Sequence, residues 1–123
     1  MDPLVIRLIE TLSQALLFVE RRTPAESSRY LEAVIVRRDL TRCCELLQGA
    51  LGPPLKDFGQ SATLEPRIQQ VVAAIGGIRI DQCLFFAKGE DRQVAYAALW
   101  PWASDPRRIT LKVGLHPCLF PCR

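Results

Sequence analysis

The chain reads as an α+β protein: about four helices, then a three-stranded antiparallel meander, with the helices packed on one sheet face. Three observations predict this. Residues 3–76 carry apolar side chains at helical spacing, interrupted by caps and helix stops. Residues 78–115 change to strand-like alternation between tight-turn signals. Helical runs followed by strand runs belong to α+β architectures rather than to alternating parallel ones. A length of 123 residues fits one domain over 1–123, ending in a hydrophobic tail at 116–123.

The first helix is expected to start with Asp2 as N-cap and Pro3 at the first helical position. Val5, Ile9, Leu12, Leu16 and Val19 recur at spacings of four and three, and Leu8, Ala15 and Phe18 widen the stripe. Ile6 and Leu17 lie elsewhere on the helix, so its apolar surface exceeds one packed face. The stripe Val5, Ile9, Leu12 and Leu16 therefore has two readings. It is the inner face of a core helix, or it also forms a subunit interface.

The second helix is expected from a capping box, with Thr23 as cap, Pro24 at the first position and Glu26 three residues on. Tyr30, Leu31 and Val34 give it an inner face. Ala33-Val34-Ile35-Val36 is β-branched and fits either the end of this helix or a short edge strand; it is taken here as helix. Asp39 is the expected N-cap of a third helix, with Leu40, Cys43, Cys44, Leu47 and Leu51 at helical spacing. Gly52 stops it and Pro53-Pro54 prevents continuation. The connector from Pro53 to Thr63 is the expected flexible segment, with Phe58 pinning it to the body. A fourth helix runs from about Leu64 to Ile75, its stripe Ile68, Val71, Val72 and Ile75, and Gly76-Gly77 ends it.

Strands are expected at Gln82 to Lys88, Arg92 to Trp100 and Arg108 to Gly114. Gly89-Glu90-Asp91 and Ser104-Asp105-Pro106 make the turns, and Pro101 ends the middle strand. In the last strand Ile109, Leu111 and Val113 alternate with Arg108, Thr110 and Lys112. That is the pattern of one face on a core and one face wet. Three strands leave free edges that a second copy or a partner strand could pair with.

Composition excludes several classes. A formal net charge of +3 is mild, and the arginine pairs Arg21-Arg22, Arg37-Arg38 and Arg107-Arg108 are scattered along the chain. Nucleic-acid-binding domains cluster such residues on one face, so the pairs read first as solvated helix and strand ends. The Leu4 to Val19 stretch is broken by Arg7, Glu10, Ser13 and Gln14, so it is neither a leader nor a membrane span. Five cysteines, two of them adjacent, suggest reduced thiols and a cytoplasmic setting rather than a disulfide framework.

Chemistry-bearing patterns are sparse. His116 is the single histidine, and any Ser-His or Cys-His arrangement would have to use it. With Cys118 and Cys122 it makes a weak metal candidate, at a spacing that fits no common zinc module. Asp81, Glu90, Asp91 and Asp105 fall in turns, as turn-forming carboxylates do. Gly76-Gly77 follows a helix, whereas phosphate-cradling glycines precede one, so a nucleotide loop is rejected. Cys43 and Cys44 read as small apolar residues flanking a buried stripe.

Trp100-Pro101-Trp102 is the most distinctive motif. Tryptophan supplies rigid area with a polar tip and is enriched at binding hot spots. One reading places Trp100 in the core and Trp102 over the sheet end. The other makes them a ligand- or partner-binding corner, with Arg79 or Arg107 holding an anion. No cofactor and no metal is implied. The leading functional expectation is a small non-catalytic binding or interaction module, self-associating or joined to a protein partner, with no membrane role. The alternatives are a small-molecule binder or minor enzyme with a pocket near Trp100 and Trp102, and a weak nucleic-acid-associated protein using the arginine pairs.

Overall fold

The computed structural model describes residues 3–23, 29–61, 64, 66–88 and 93–117. In chain order the elements are α1 (Pro3–Ala15), β1 (Phe18–Arg21), β2 (Tyr30–Val36), a 3-10 turn (Arg37–Asp39), α2 (Leu40–Leu51), α3 (Pro66–Ala74), β3 (Cys83–Lys88), β4 (Gln93–Pro101) and β5 (Arg108–Pro117). The fold is α+β, but the expected four helices and three strands give way to three helices and five strands among the described residues. The sheet has the order β1-β2-β5-β4-β3, and every neighbouring pair is antiparallel.

Both extra strands come from segments expected to be helical. β2 takes the stretch from Tyr30, including the ambiguous 33–36 run; Pro24 and Glu26 of the expected capping box lie outside the described residues. The reason is period and pairing. Leu31, Ala33 and Ile35 are buried on one face, while Tyr30, Glu32 and Val34 point to the other. β-Branched residues fit such a pleat better than a helix turn. The strand then pairs with β5 along its whole length, from Tyr30↔Gly114 to Val36↔Arg108. Helix α1 stops at Ala15, short of Val19. Leu16 N–H still bonds the Leu12 carbonyl, but Leu17 N–H turns to the Asp39 carboxylate at 3.3 Å, and Phe18 starts β1. Asp39 therefore stands at the N-cap position of α2 without making a side-chain cap bond.

The helices do not share one face. α1 and α2 cover the first face, where Val5, Leu12, Cys43 and Leu47 pack with Leu31, Ile35, Phe85, Leu99 and Leu111. Each fully buried Leu or Ile there contributes about 1.5–3 kcal/mol. α3 lies on the second face, over β3 and β4 only. Val72 packs on Leu84 and Ala98, and Val71 on Val94. The β2 and β5 part of that face has no helix on it among the described residues.

The connector after α2 is held rather than loose. Lys56 bridges to Leu84, so it lies along the outer edge of β3 and covers it. Its side chain is 3% exposed, and its ammonium donates to the Ile80 and Gln82 carbonyls, each at 2.5 Å. Burial lowers its pKa, with Cys83, Asp81 and Asp57 opposing. Phe58 packs against the first-face core. Lys56→Met is expected to leave the Gln82 carbonyl without its donor, while the Ile80 carbonyl keeps the Gly59 N–H at 2.7 Å, and to lower stability by about 1–2 kcal/mol, read by urea denaturation. An unchanged midpoint would show that the clip contributes nothing.

Candidate functional site

Strand register lays out the second face in rows. Tyr30, Gly114, Tyr96 and Phe86 form one row across β2, β5, β4 and β3; Glu32, Lys112, Ala98 and Leu84 form the next. Val34, Thr110 and Trp100 follow, then Val36 and Arg108. Trp102 extends this last row, because its N–H donates to the Arg108 carbonyl at 3.0 Å. Gly114 leaves room for the tyrosines. A Cβ there would come within 2.9 Å of the Tyr30 ring and 3.1 Å of the Tyr96 hydroxyl.

Trp102 is held across this face from several sides. Its Nε1 donates to Thr110 Oγ1 at 2.8 Å. The Arg22 and Arg108 guanidiniums stand 5.9 and 5.8 Å from its ring centroid, within cation–π reach. Arg22 pairs with Glu20 at 3.5 Å and with Glu32 at 3.2 Å, and Arg108 pairs with Asp105 at 3.4 Å. Tyr30 donates its hydroxyl to Glu32 at 3.0 Å. Burial, then the Glu32 hydrogen bond, push the Tyr30 phenol up; burial and Glu32 push Tyr96 up to about 12. Both phenols keep their protons across the physiological range. The Arg107 backbone N–H and then its guanidinium hold the Asp105 carboxyl below its ordinary value.

Trp100 is placed differently. Lys112 Nζ sits 3.9 Å from its ring centroid, and the ring also packs with the α3 cluster. Its indole N–H is buried without a hydrogen-bond acceptor among the described residues. Gly76, just beyond α3, closes against this ring. Its φ of 116° is a conformation that L side chains resist, and a Cβ there would lie 2.6 Å from the ring edge.

The two tryptophans thus share a face, but the arginines expected beside them do not join them. Arg79 is exposed and pairs with Asp81 at 3.6 Å; Arg107 is exposed and pairs with Asp105 at 3.2 Å. Neither makes a ring contact with Trp100 or Trp102. The cations that reach the rings are Arg22, Arg108 and Lys112. Two of these were legible in principle: Arg108, Thr110 and Lys112 alternate onto one face, and Trp100 opposite Thr110 puts Lys112 diagonally beside it. Arg22 had no such signal, because its position depends on β1 pairing with β2. Val5, Ile9, Leu12 and Leu16 are buried inside the chain's own first-face core. Among the described residues the large apolar side chains left exposed are Leu17, Val19, Leu55 and Ile80.

The groups that would carry chemistry are quiet. Cys43, Cys44 and Cys83 are free thiols. Burial pushes all three up, Cys83 to about 12, so none is a ready thiolate. His116 lies within β5, not in a tail after it; its Nδ1 is 2.8 Å from the Pro117 carbonyl, which can only accept. Among the described residues no three His, Cys, Asp or Glu side chains gather where a metal could sit. Cys118, Cys122, Glu90 and Asp91 lie outside the described residues. No helix among those described is long and apolar enough to cross a membrane. Comparison with family models, curated proteins and solved structures returned no match to this chain.

Proposed function

We propose that this chain is a small non-catalytic interaction module that pairs with a second copy of itself through the open part of its second sheet face. One observation carries the reading: Trp102, braced by Arg22 and Arg108, sits on a sheet surface of mixed charge with no helix over it among the described residues. Tryptophan, tyrosine and arginine are the side chains enriched at the centres of protein interfaces. Arg22, Arg108 and Lys112 are matched here by Glu20, Glu32 and Asp105, so the patch is close to neutral although the chain is not. A patch carrying both signs suits a two-fold contact, in which arginines of one copy face glutamates of the other. Two identical neutral patches do not repel.

Light scattering across a concentration series tests this. The wild type is expected to show dimer mass, and Trp102→Ala to weaken dimerisation roughly thirtyfold, the scale of an interface hot spot. Arg22→Glu, which places a third acid beside Glu20 and Glu32, is expected to weaken it by about tenfold through like-charge repulsion. Far-ultraviolet circular dichroism separates dissociation from unfolding. A wild type that stays monomeric at millimolar concentration overturns the reading, as does a dimer that both variants leave intact.

A further inference from the structure

We infer that the end of the sheet where β2 passes into α2 and β5 begins is a docking surface for an acidic, amphipathic protein segment. Two of the three arginine pairs, far apart in sequence, meet there. Arg37 N–H donates to the Arg107 carbonyl at 2.8 Å, Arg37 Nη1 reaches the Pro106 carbonyl at 3.3 Å, and Val36 pairs with Arg108. The chain then runs without a break from the 3-10 turn into α2, and Arg42 stands four positions after Arg38 on that helical path. Arg37, Arg38, Arg42 and Arg107 are all exposed.

These guanidiniums are under-compensated. Asp105 serves both Arg107 and Arg108, and the Asp39 carboxylate takes the Leu17 N–H. Arg37, Arg38 and Arg42 make no ion pair among the described residues. With Glu45, three positions after Arg42 on α2, this end carries five arginines against three acids, an excess of two positive charges. Arginine forks match carboxylates in bidentate geometry, and such pairs gain strength when a partner excludes water.

Protein is favoured over nucleic acid by what lies beside the charge. Leu17 is 61% exposed and joined to Asp39 at this same end, and Val19 on β1 is 41% exposed. They offer apolar anchors to a segment that mixes Asp or Glu with Leu or Ile. Phe18, which lies beside Ile35 at this end, packs against the first-face core with Arg21 over its ring, so it offers no free platform for stacking bases. This surface adjoins the neutral patch proposed for self-association and shares Arg108 and Asp105 with it, whereas Arg37, Arg38 and Leu17 lie outside that patch.

The test is fluorescence anisotropy at low salt with a labelled peptide of Glu-Asp-Leu repeats, a matched peptide with Lys in place of both acids, and a labelled single-stranded oligonucleotide. The wild type is expected to bind the acidic peptide, more weakly as salt rises. The double variant Arg37→Glu with Arg38→Glu is expected to lose tenfold or more. Leu17→Ser should weaken binding separately by a fewfold, while Arg29→Glu, at the opposite end of β2, should leave it unchanged. All four positions are exposed, so the fold tolerates the changes. The inference is overturned if the acidic peptide does not bind, if the lysine peptide binds as well, or if the arginine double variant binds normally. It is also overturned, in favour of nucleic acid, if the oligonucleotide binds more tightly through the same arginines.

Discussion

Val5→Asp is expected to abolish the folded state. Val5 is fully buried in α1, in the same core as Ile9 and Leu12, with the sheet's first face on the other side. An aspartate there has no cation to pair with and no water to solvate it. The cost is about 4 kcal/mol or more, in the upper tail of single substitutions. A chain of this size has a total stability of roughly 5–15 kcal/mol, so the loss takes most of it at the lower end of that range and a large share above it. Ile9→Asp is expected to behave alike. Leu17→Asp, only a few residues on but 61% exposed, should change stability by less than about 0.5 kcal/mol. Urea denaturation followed by circular dichroism reads all three. Were Val5→Asp folded and merely smaller in solution mass, the stripe would face another molecule and not its own sheet.

Gly76→Val is expected to cost roughly 3 kcal/mol, from two sources that add. Placing a β-branched residue at φ 116° strains the backbone, at about 1–2 kcal/mol. The new Cβ would also meet the six-membered edge of Trp100 at 2.6 Å, and overpacking of that kind costs about 1–3 kcal/mol. The ring cannot simply retreat, because Lys112 lies over it and the α3 cluster packs with it. Gly77→Ala isolates the first source. Its φ of 84° is also left-handed, but nothing lies within 4 Å of a Cβ there, so about 1 kcal/mol is expected. Tryptophan emission should shift in Gly76→Val and stay unchanged in Gly77→Ala. Equal costs for the two would mean that α3 does not close over Trp100 through Gly76.

The site was less legible than the strands that carry it. Trp100 and Trp102 stand out in the sequence because two tryptophans flank one proline at a strand end. Their partners do not. Arg79 and Arg107 look close because few residues separate them from the glycine pair or the turn, yet each leans on its own neighbouring aspartate. Arg22 reaches Trp102 only because β1 lies beside β2 and β2 beside β5. The arginine pairs at 37–38 and 107–108 likewise look scattered until the β2–β5 pairing brings them together.

Local signals within the sequence were enough for the body of α1, for α2 and α3, for the β3, β4 and β5 segments, and for the α+β class, but they ran α1 on to Val19, where the structure has β1. Each of these rests on spacing within one segment and on the glycine or proline beside it, interactions that span a few residues. Only the tertiary structure decided that Tyr30–Val36 is a strand. A short β-branched run suits a helix end or a pleat almost equally, and pairing of its whole length with β5 settles it through hydrogen bonds made far along the chain. Tertiary packing also decided that α3 crosses to the second face and that Lys56 covers the edge of β3. It likewise put both tryptophans under cations from other parts of the chain. These outcomes depend on which surfaces remain unpaired once the rest has folded, and no window of local sequence contains that information.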